Sequence, residues 1–286
     1  MSGAALRNRA EVLSRRLPPL LAEADRLAAT IQTGAHGRRQ PGAGDEFWQY
    51  RAAMPGDPVR RIDWRRSARA DATFVRETEW QATQTVSLWC DMGRSMRFGE
   101  PSKAERARLL ALSLAVLLVR AGERVGTFDP RVPAGTGRQH LERIAEAFAA
   151  TDTDGDHDAP GAGRIPAHSR AVFLSDFMGD PARVERVLTR SAAKGVRGIL
   201  YQVLAPEEQD FPYDGRTIFE SMAGAIRHET LKAGDLRTRY RDRLSERQER
   251  LRTLAARTGW RFRTHIVEGP ATPALLWLHR AVEGTR

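Results

Sequence analysis

Between Val86 and Leu204 the chain alternates short apolar strands with helices, and this alternation constrains the fold more than any other feature. Strands are expected at Val86–Cys90, Val125–Phe128, Ala171–Ser175 and Val196–Leu204. Helices are expected between them at Lys103–Arg120, His140–Ala150 and Pro181–Ala193. A chain that steps strand, helix, strand in this way builds a mostly parallel sheet with helices on both faces, because each crossover lays a helix against the sheet. The stretch LLALSLAVLLV inside the first helix is apolar nearly all round, which suits a helix packed in the interior. Further on, a charged helix from about residue 230 to 257 is closed by Thr258-Gly259. A strand at Trp260–Val267 and a last helix at Pro273–Val282 follow.

The region before Val86 has a different texture. Leu6, Leu13, Leu17, Leu20, Leu21, Leu27 and Ile31 recur at three- and four-residue spacing, which predicts amphipathic helices over residues 1–33, interrupted at Pro18-Pro19 and laid on the main domain. Residues 34–82 read as a small β-rich module: a strand at Phe47–Arg51, a turn at Pro55-Gly56-Asp57-Pro58 and a strand at Thr73–Trp80. Residues 83–286 then form the α/β domain with a C-terminal extension. Within it, 151–169 is expected to be a polar loop and Phe211 to Phe219 an edge hairpin.

Charge narrows the function classes. Of the 46 basic residues only Lys103, Lys194 and Lys232 are lysines, and the formal net charge is +10. Such a balance brings nucleic acid to mind, but the arginines are interleaved with Asp and Glu throughout and no helix-turn-helix, zinc-finger or RNP-type pattern accompanies them, so nucleic acid is disfavoured. The single cysteine, Cys90, sits in an apolar strand and can form neither an internal disulfide nor a cysteine-based metal site. The longest apolar run, Leu109–Val119, falls short of the ~18 residues of a membrane span, and no signal peptide is recognisable. A soluble, cytoplasmic protein is expected.

Loops leaving the carboxyl ends of parallel strands converge on one edge of the sheet, where ligands bind. Asp91, Met92, Gly93, Arg94 and Ser95 leave the first strand of the alternation, and Ser175 and Asp176 leave a later one. Two carboxylates and a hydroxyl would thus meet in one crevice, a hard-oxygen set suited to a magnesium or manganese ion that keeps several waters. The run 152–158, DTDGDHD, lacks the glycine and glutamate placement of a calcium loop and is expected to be solvated. No H-E-x-x-H, G-x-S-x-G or G-x-x-x-x-G-K-[ST] pattern is present.

At Asp91, Ser95 and Asp176 the chain resembles the von Willebrand factor A fold with its metal-ion-dependent adhesion site, Asp-x-Ser-x-Ser followed later by a Thr and an Asp. Gly93 departs from that pattern and removes one hydroxyl. Thr136, Thr151 and Thr153 are the alternatives for the threonine. The resemblance implies a Rossmann-like α/β sheet and a weakly held Mg2+ or Mn2+, with Asp91 and Ser95 as direct ligands and Asp176 acting through water.

Upstream, Arg51, Pro55-Gly56-Asp57, Arg60 or Arg61, Ile62-Asp63-Trp64, Ser67-Ala68-Arg69 and Arg76-Glu77 resemble the bacterial DUF58 family, of which this chain looks like a soluble branch. Gly56 permits a turn denied to other residues. Asp57 and Asp63 are expected to pair with Arg51, Arg60, Arg61 or Arg69 near Trp64, fixing the small module against the sheet. The resemblance implies a non-enzymatic adaptor or co-chaperone acting with a MoxR-type AAA+ ATPase. The alternatives are a metal-dependent hydrolase using the same crevice and an arginine-driven nucleic-acid binder.

Overall fold

The computed structural model describes residues 20–31, 41–59, 62–69, 72–79, 83–128, 131–150, 155–157, 159–161, 165–222, 224 and 227–284, and for 41–49 and 76–79 the backbone path. The chain divides into two units, Thr33–Thr83 and the remainder, in which residues up to Gln32 join Gln84–Arg286. Leu6, Leu13 and Leu17 of the expected N-terminal helices lie outside the described residues. So do Arg60 and Arg61, and Thr151 and Thr153.

In chain order, helix α1 spans 20–29. The smaller unit holds β1 (Pro41–Ala52), the one-turn helix α2 (Trp64–Ser67) and β2 (Phe74–Glu79). The larger unit continues with β3 (Thr85–Cys90), α3 (Lys103–Arg120), β4 (Arg124–Phe128), β5 (Arg131–Gly135), α4 (Arg138–Ala150), β6 (Arg170–Ser175), α5 (Pro181–Ala192) and β7 (Arg197–Leu204). It ends with α6 (Pro206–Asp210), β8 (Thr217–Glu220), β9 (Arg227–Thr230), α7 (Ala233–Thr258), β10 (Arg261–Ile266) and α8 (Ala271–Glu283).

Six strands form one sheet in the order β10-β7-β6-β3-β4-β5. All neighbours are parallel except β5, which runs antiparallel to β4 at one edge. Side chains alternate between two cores, as the period of two along a strand requires. Val86, Leu88 and Cys90 of β3, Val172 and Leu174 of β6, and Ile199, Tyr201 and Val203 of β7 pack with α1, α3, α4 and α8. Trp89, Ala171, Phe173 and Leu200 face the other way, onto Val184 and Leu188 of α5 and Leu251, Leu254 and Ala255 of α7. Helices therefore cover both faces, and α3, with a capping box of Ser102 and Glu105 at its start, is buried along most of its length.

Two sequence expectations are corrected. The hairpin lies at β8–β9 as a separate two-stranded sheet, not at Phe211–Phe219 within the main one. Phe211 instead ends α6 in a left-handed conformation (φ 47°) and packs its ring against Tyr213, Phe219 and Tyr240. Thr136 follows β5, whose Gly135 pairs with Val125 at the start of β4, so it lies at the sheet end opposite the strand tips that carry Asp91 and Asp176.

Glycine at 198 is a packing requirement. A Cβ there would lie 2.1 Å from the carbonyl oxygen of Ala171 and 2.9 Å from the Trp260 ring. Gly198→Ala is expected to lower the unfolding free energy by about 1–3 kcal/mol through overpacking, read from the urea midpoint; an unchanged midpoint would contradict this account of the β6–β7 contact.

Candidate functional site

Strands β3 and β6 are adjacent and parallel, with Cys90 opposite Leu174, so the residues that leave them emerge side by side. The Asp91 N–H still donates to the Leu174 carbonyl at 2.8 Å, and the Ser175 hydroxyl donates to Asp91 Oδ2 at 2.5 Å. Asp91 Oδ1 accepts the Gly93 N–H at 2.8 Å, which turns the chain into the 3-10 segment Arg94–Arg97. The Phe177 N–H donates to Ser175 Oγ and the Met178 N–H to Asp176 Oδ1, at 2.8 and 2.9 Å. These bonds hold Phe177 in a left-handed conformation (φ 52°) that a side-chain-bearing residue adopts only when its surroundings over-determine it. The two acidic strand tips are thus brought together in rigid turns, and both aspartates are 1% exposed.

Around Asp176 the site is denser than the motifs foretell. Its Oδ2 accepts the Ser95 hydroxyl at 2.8 Å and the Lys103 ammonium at 2.8 Å. Lys103, the first residue of α3, also donates to Glu208 Oε1 at 2.5 Å, and Glu208 Oε2 accepts the Ala205 N–H at 2.9 Å. Gln202 donates to the Asp176 carbonyl oxygen, while its own side-chain oxygen accepts from Gln248 and Thr264. The tips of β3, β6 and β7 and the start of α3 therefore converge on one buried polar cluster at the carboxyl edge of the sheet.

Of the run 152–158, residues 152–154 and 158 lie outside the described residues; the rest, 155–157, are exposed or half-buried as expected, and they also anchor the site. Arg94 N–H donates to the Gly155 carbonyl at 2.9 Å and Ser95 N–H to the Asp156 carbonyl at 2.8 Å. His157 Nδ1 then lies 3.8 Å from Asp176 Oδ1, with its side chain 38% exposed. Backbone carbonyls, invisible to motif reading, do the anchoring.

Electrostatics follow from burial and from the ammonium. Burial opposes ionisation of Asp176, but Lys103, with help from the Met178 N–H, outweighs it and holds the carboxyl below its usual value. Burial likewise works against the charge on Lys103, yet Asp176 and Glu208 raise its pKa above the ordinary one. For Glu208 burial wins, and its pKa is raised despite the same lysine. Separating two pKa values within one cluster in this way is a common property of functional sites, though buried ion pairs do it as well.

Fit to a divalent ion is poor. Asp91 and Ser95, expected as direct ligands, and Asp176, expected to act through water, are indeed close. Yet the Asp91 oxygens receive a backbone N–H and a hydroxyl, the Ser95 hydroxyl is spent on Asp176, and an ammonium already neutralises Asp176. Among the described residues no group of three or more His, Cys, Asp or Glu side chains is arranged to hold a metal.

In the smaller unit the signature residues have local work. Arg51 donates from both terminal nitrogens to the two Asp57 oxygens at 2.7 Å, and Asp57 Oδ2 also accepts the Met54 N–H. Gly56 adopts φ 101° in that turn, the conformation for which glycine was expected. Asp63 caps α2 by accepting the Arg66 N–H at 3.0 Å and also takes the Tyr50 hydroxyl at 2.8 Å; these two bonds hold its carboxyl below the ordinary value. Ser67 donates to the Asp63 carbonyl and accepts the Phe74 N–H, joining α2 to β2. These bonds are internal to the unit. Trp64, near which these pairs were expected, does not cover them: the residue is 61% exposed and α2 buries no residue. Arg66 stacks instead over the Tyr50 ring, with its guanidinium 4.4 Å from the centroid. Arg69 is exposed, its N–H donating to the Arg66 carbonyl.

Asp176 is one of the two carboxylates that compensate the buried Lys103 ammonium, and removing its charge leaves that ammonium with Glu208 alone. Asp176→Asn is expected to cost about 3–5 kcal/mol in urea unfolding. The double variant Lys103→Met/Asp176→Leu should recover most of that loss; a double variant no more stable than Asp176→Asn would show that the pair is not the source of the cost.

Comparison with known proteins covers most of the chain. Residues 49–252 match the family model described as protein of unknown function DUF58. Uncharacterized proteins of Mycobacterium bovis and Mycobacterium tuberculosis are 31% identical over 209 residues, which is 68% of this chain and 65% of theirs. The chain therefore spans just under two thirds of the length of these curated relatives. Among solved structures, an aerotolerance-related membrane protein from Bacteroides fragilis aligns over 70% of this chain and 98% of its own, with a TM-score of 0.42 and 14% identity. BatB from Bacteroides thetaiotaomicron aligns over 71% and 98%, with a TM-score of 0.38 and 13% identity. Among the described residues of this chain no helix is long and apolar enough to cross a membrane. With the family model matched across the β1–β2 signature and nearly the whole sheet, the chain belongs to the DUF58 family.

Proposed function

We propose that this protein is a non-enzymatic adaptor of the von Willebrand factor A type that docks a MoxR-type AAA+ ATPase at the carboxyl edge of its sheet. The observation that carries this reading is the tying together of the two strand-tip turns and the loop 155–157 around Asp176. Such an assembly offers a partner a preorganised polar surface. Arg94, Ser95, Met178 and Gly179 are half-buried there, and the His157 side chain stands at the rim. Arg247 adds rigidity by donating to the carbonyls of Met178 and Gly179. A surface that needs no rearrangement loses little ordering entropy on association.

The hydrolase alternative calls for a general base within reach of a substrate. Asp176 is engaged by Lys103 and Ser95, and Asp91 by Ser175 and Gly93, which favours binding over turnover. Arginine-driven nucleic-acid binding is weakened by how many arginines serve backbone carbonyls. Arg106 holds Val267, Arg170 holds Val282, Arg237 holds Phe211 and Tyr213, Arg241 holds Asp210, and Arg261 holds Gly284.

The test is retention of the purified ATPase by immobilised protein at low salt. Wild type should retain it, and Arg94→Ala/His157→Ala should retain much less while melting at a similar temperature. Equal retention by both, or none by wild type, would remove the docking surface.

A further inference from the structure

Of the three lysines the structure buries one completely. Lys103 is 0% exposed, whereas Lys194 and Lys232 are exposed, in a chain whose other basic residues are all arginines. Its location is unfavourable on two counts. It is the first residue of an 18-residue helix, where the positive end of the helix dipole repels a cation, and burial strips the ammonium of water. Helix formation therefore does not explain it, and neither does packing, for which an apolar side chain of similar length would serve.

What explains it is the convergence of oxygens. Asp176 Oδ2 and Glu208 Oε1 approach Nζ at 2.8 and 2.5 Å, and Ser95 Oγ is bonded to the same Asp176 oxygen. These groups come from four separated places in the chain: the loop after β3, the start of α3, the tip of β6 and α6. An ammonium is a compact charge with three tetrahedral donors, able to sit among such oxygens as a small cation does, while a planar guanidinium is larger and directs its donors as a fork. That difference gives a physical reason for lysine here in a chain that elsewhere uses arginine at all but two of its basic positions.

We propose that Lys103 is the built-in cation of this crevice: its ammonium takes the place of a divalent ion between Asp176 and Glu208, so that the site is assembled without metal. The proposal stands whether or not the crevice docks an ATPase, because it concerns how the carboxylates are neutralised and not what they recognise. Its consequence is that removing the ammonium leaves the buried Asp176 carboxylate, the partly buried Glu208 carboxylate and the Ser95 hydroxyl facing a vacated volume, which is the hard-oxygen environment a divalent cation favours.

The experiment uses the full chain and the metal alone. Mn2+ binding is followed by electron paramagnetic resonance, and melting temperature is compared in EDTA and in millimolar MgCl2, for wild type, Lys103→Ala and Lys103→Ala/Asp176→Asn. Wild type is expected to show no saturable Mn2+ binding and the same melting temperature in both buffers. Lys103→Ala should melt lower in EDTA, regain part of the loss in magnesium, and bind Mn2+ saturably where wild type does not. The added Asp176→Asn change should abolish that gain. Saturable Mn2+ binding by wild type would overturn the proposal, and so would a folded Lys103→Ala that binds no ion. Should Lys103→Ala fail to fold in EDTA, refolding in MgCl2 decides the matter: recovery of the native circular dichroism supports the proposal, and no recovery sinks it. Failure of the ATPase pull-down would leave every one of these outcomes readable.

Discussion

A positive charge buried at the start of a helix needs negative partners, and the placing of those partners organises the carboxyl edge of this sheet. The Lys103 ammonium cannot be desolvated on its own. It is accommodated because β3 and β6 lie next to one another and because β7 is followed at once by the short α6 that brings in Glu208. Sheet order, crossover and the first residue of α3 are thereby linked. A shift of one strand in the order would leave Lys103 without Asp176. Gln202 extends the linkage by fastening the Asp176 backbone to Thr264 of β10 and Gln248 of α7.

Arginine performs a different task elsewhere. Several guanidinium groups donate to carbonyls at helix ends and in loops, where the backbone acceptors have no partner within their own element. Arg261 reaches Gly284 just beyond α8, and Arg237 and Arg241 secure the segment from Asp210 to Tyr213 after α6. A long side chain with a fork of donors bridges such gaps where lysine would reach with a single point. Part of the chain's basic character is thus consumed internally, and net charge alone is a poor guide to its partners.

Much of the fold was legible because its strands and helices carry clean periodicities. Lys103–Arg120 was read to the residue, and β3, β6 and β7 to within one, since apolar runs bounded by polar loops leave little choice. Strand β5 escaped notice because RVPAG holds both a proline and a glycine, which argue against a strand except at an edge. Phe211 and Phe219 looked like strand residues but belong to an aromatic cluster with Tyr213 and Tyr240. At the site, Asp91, Ser95 and Asp176 stood out from their motifs. Lys103 and Glu208 did not, because 105 positions separate them and only the strand order makes them neighbours. His157 was hidden in an acidic run whose anchoring is through backbone carbonyls.

The two outer strands of the main sheet bear on how the protein behaves at high concentration. An open edge is a template on which a second chain can extend the ladder. Here β5 places Pro133, which has no N–H to offer, beside Arg131, and β10 places Arg261 and Arg263 at alternate positions. Both margins of this mixed six-stranded sheet thus carry features that oppose edge-to-edge growth.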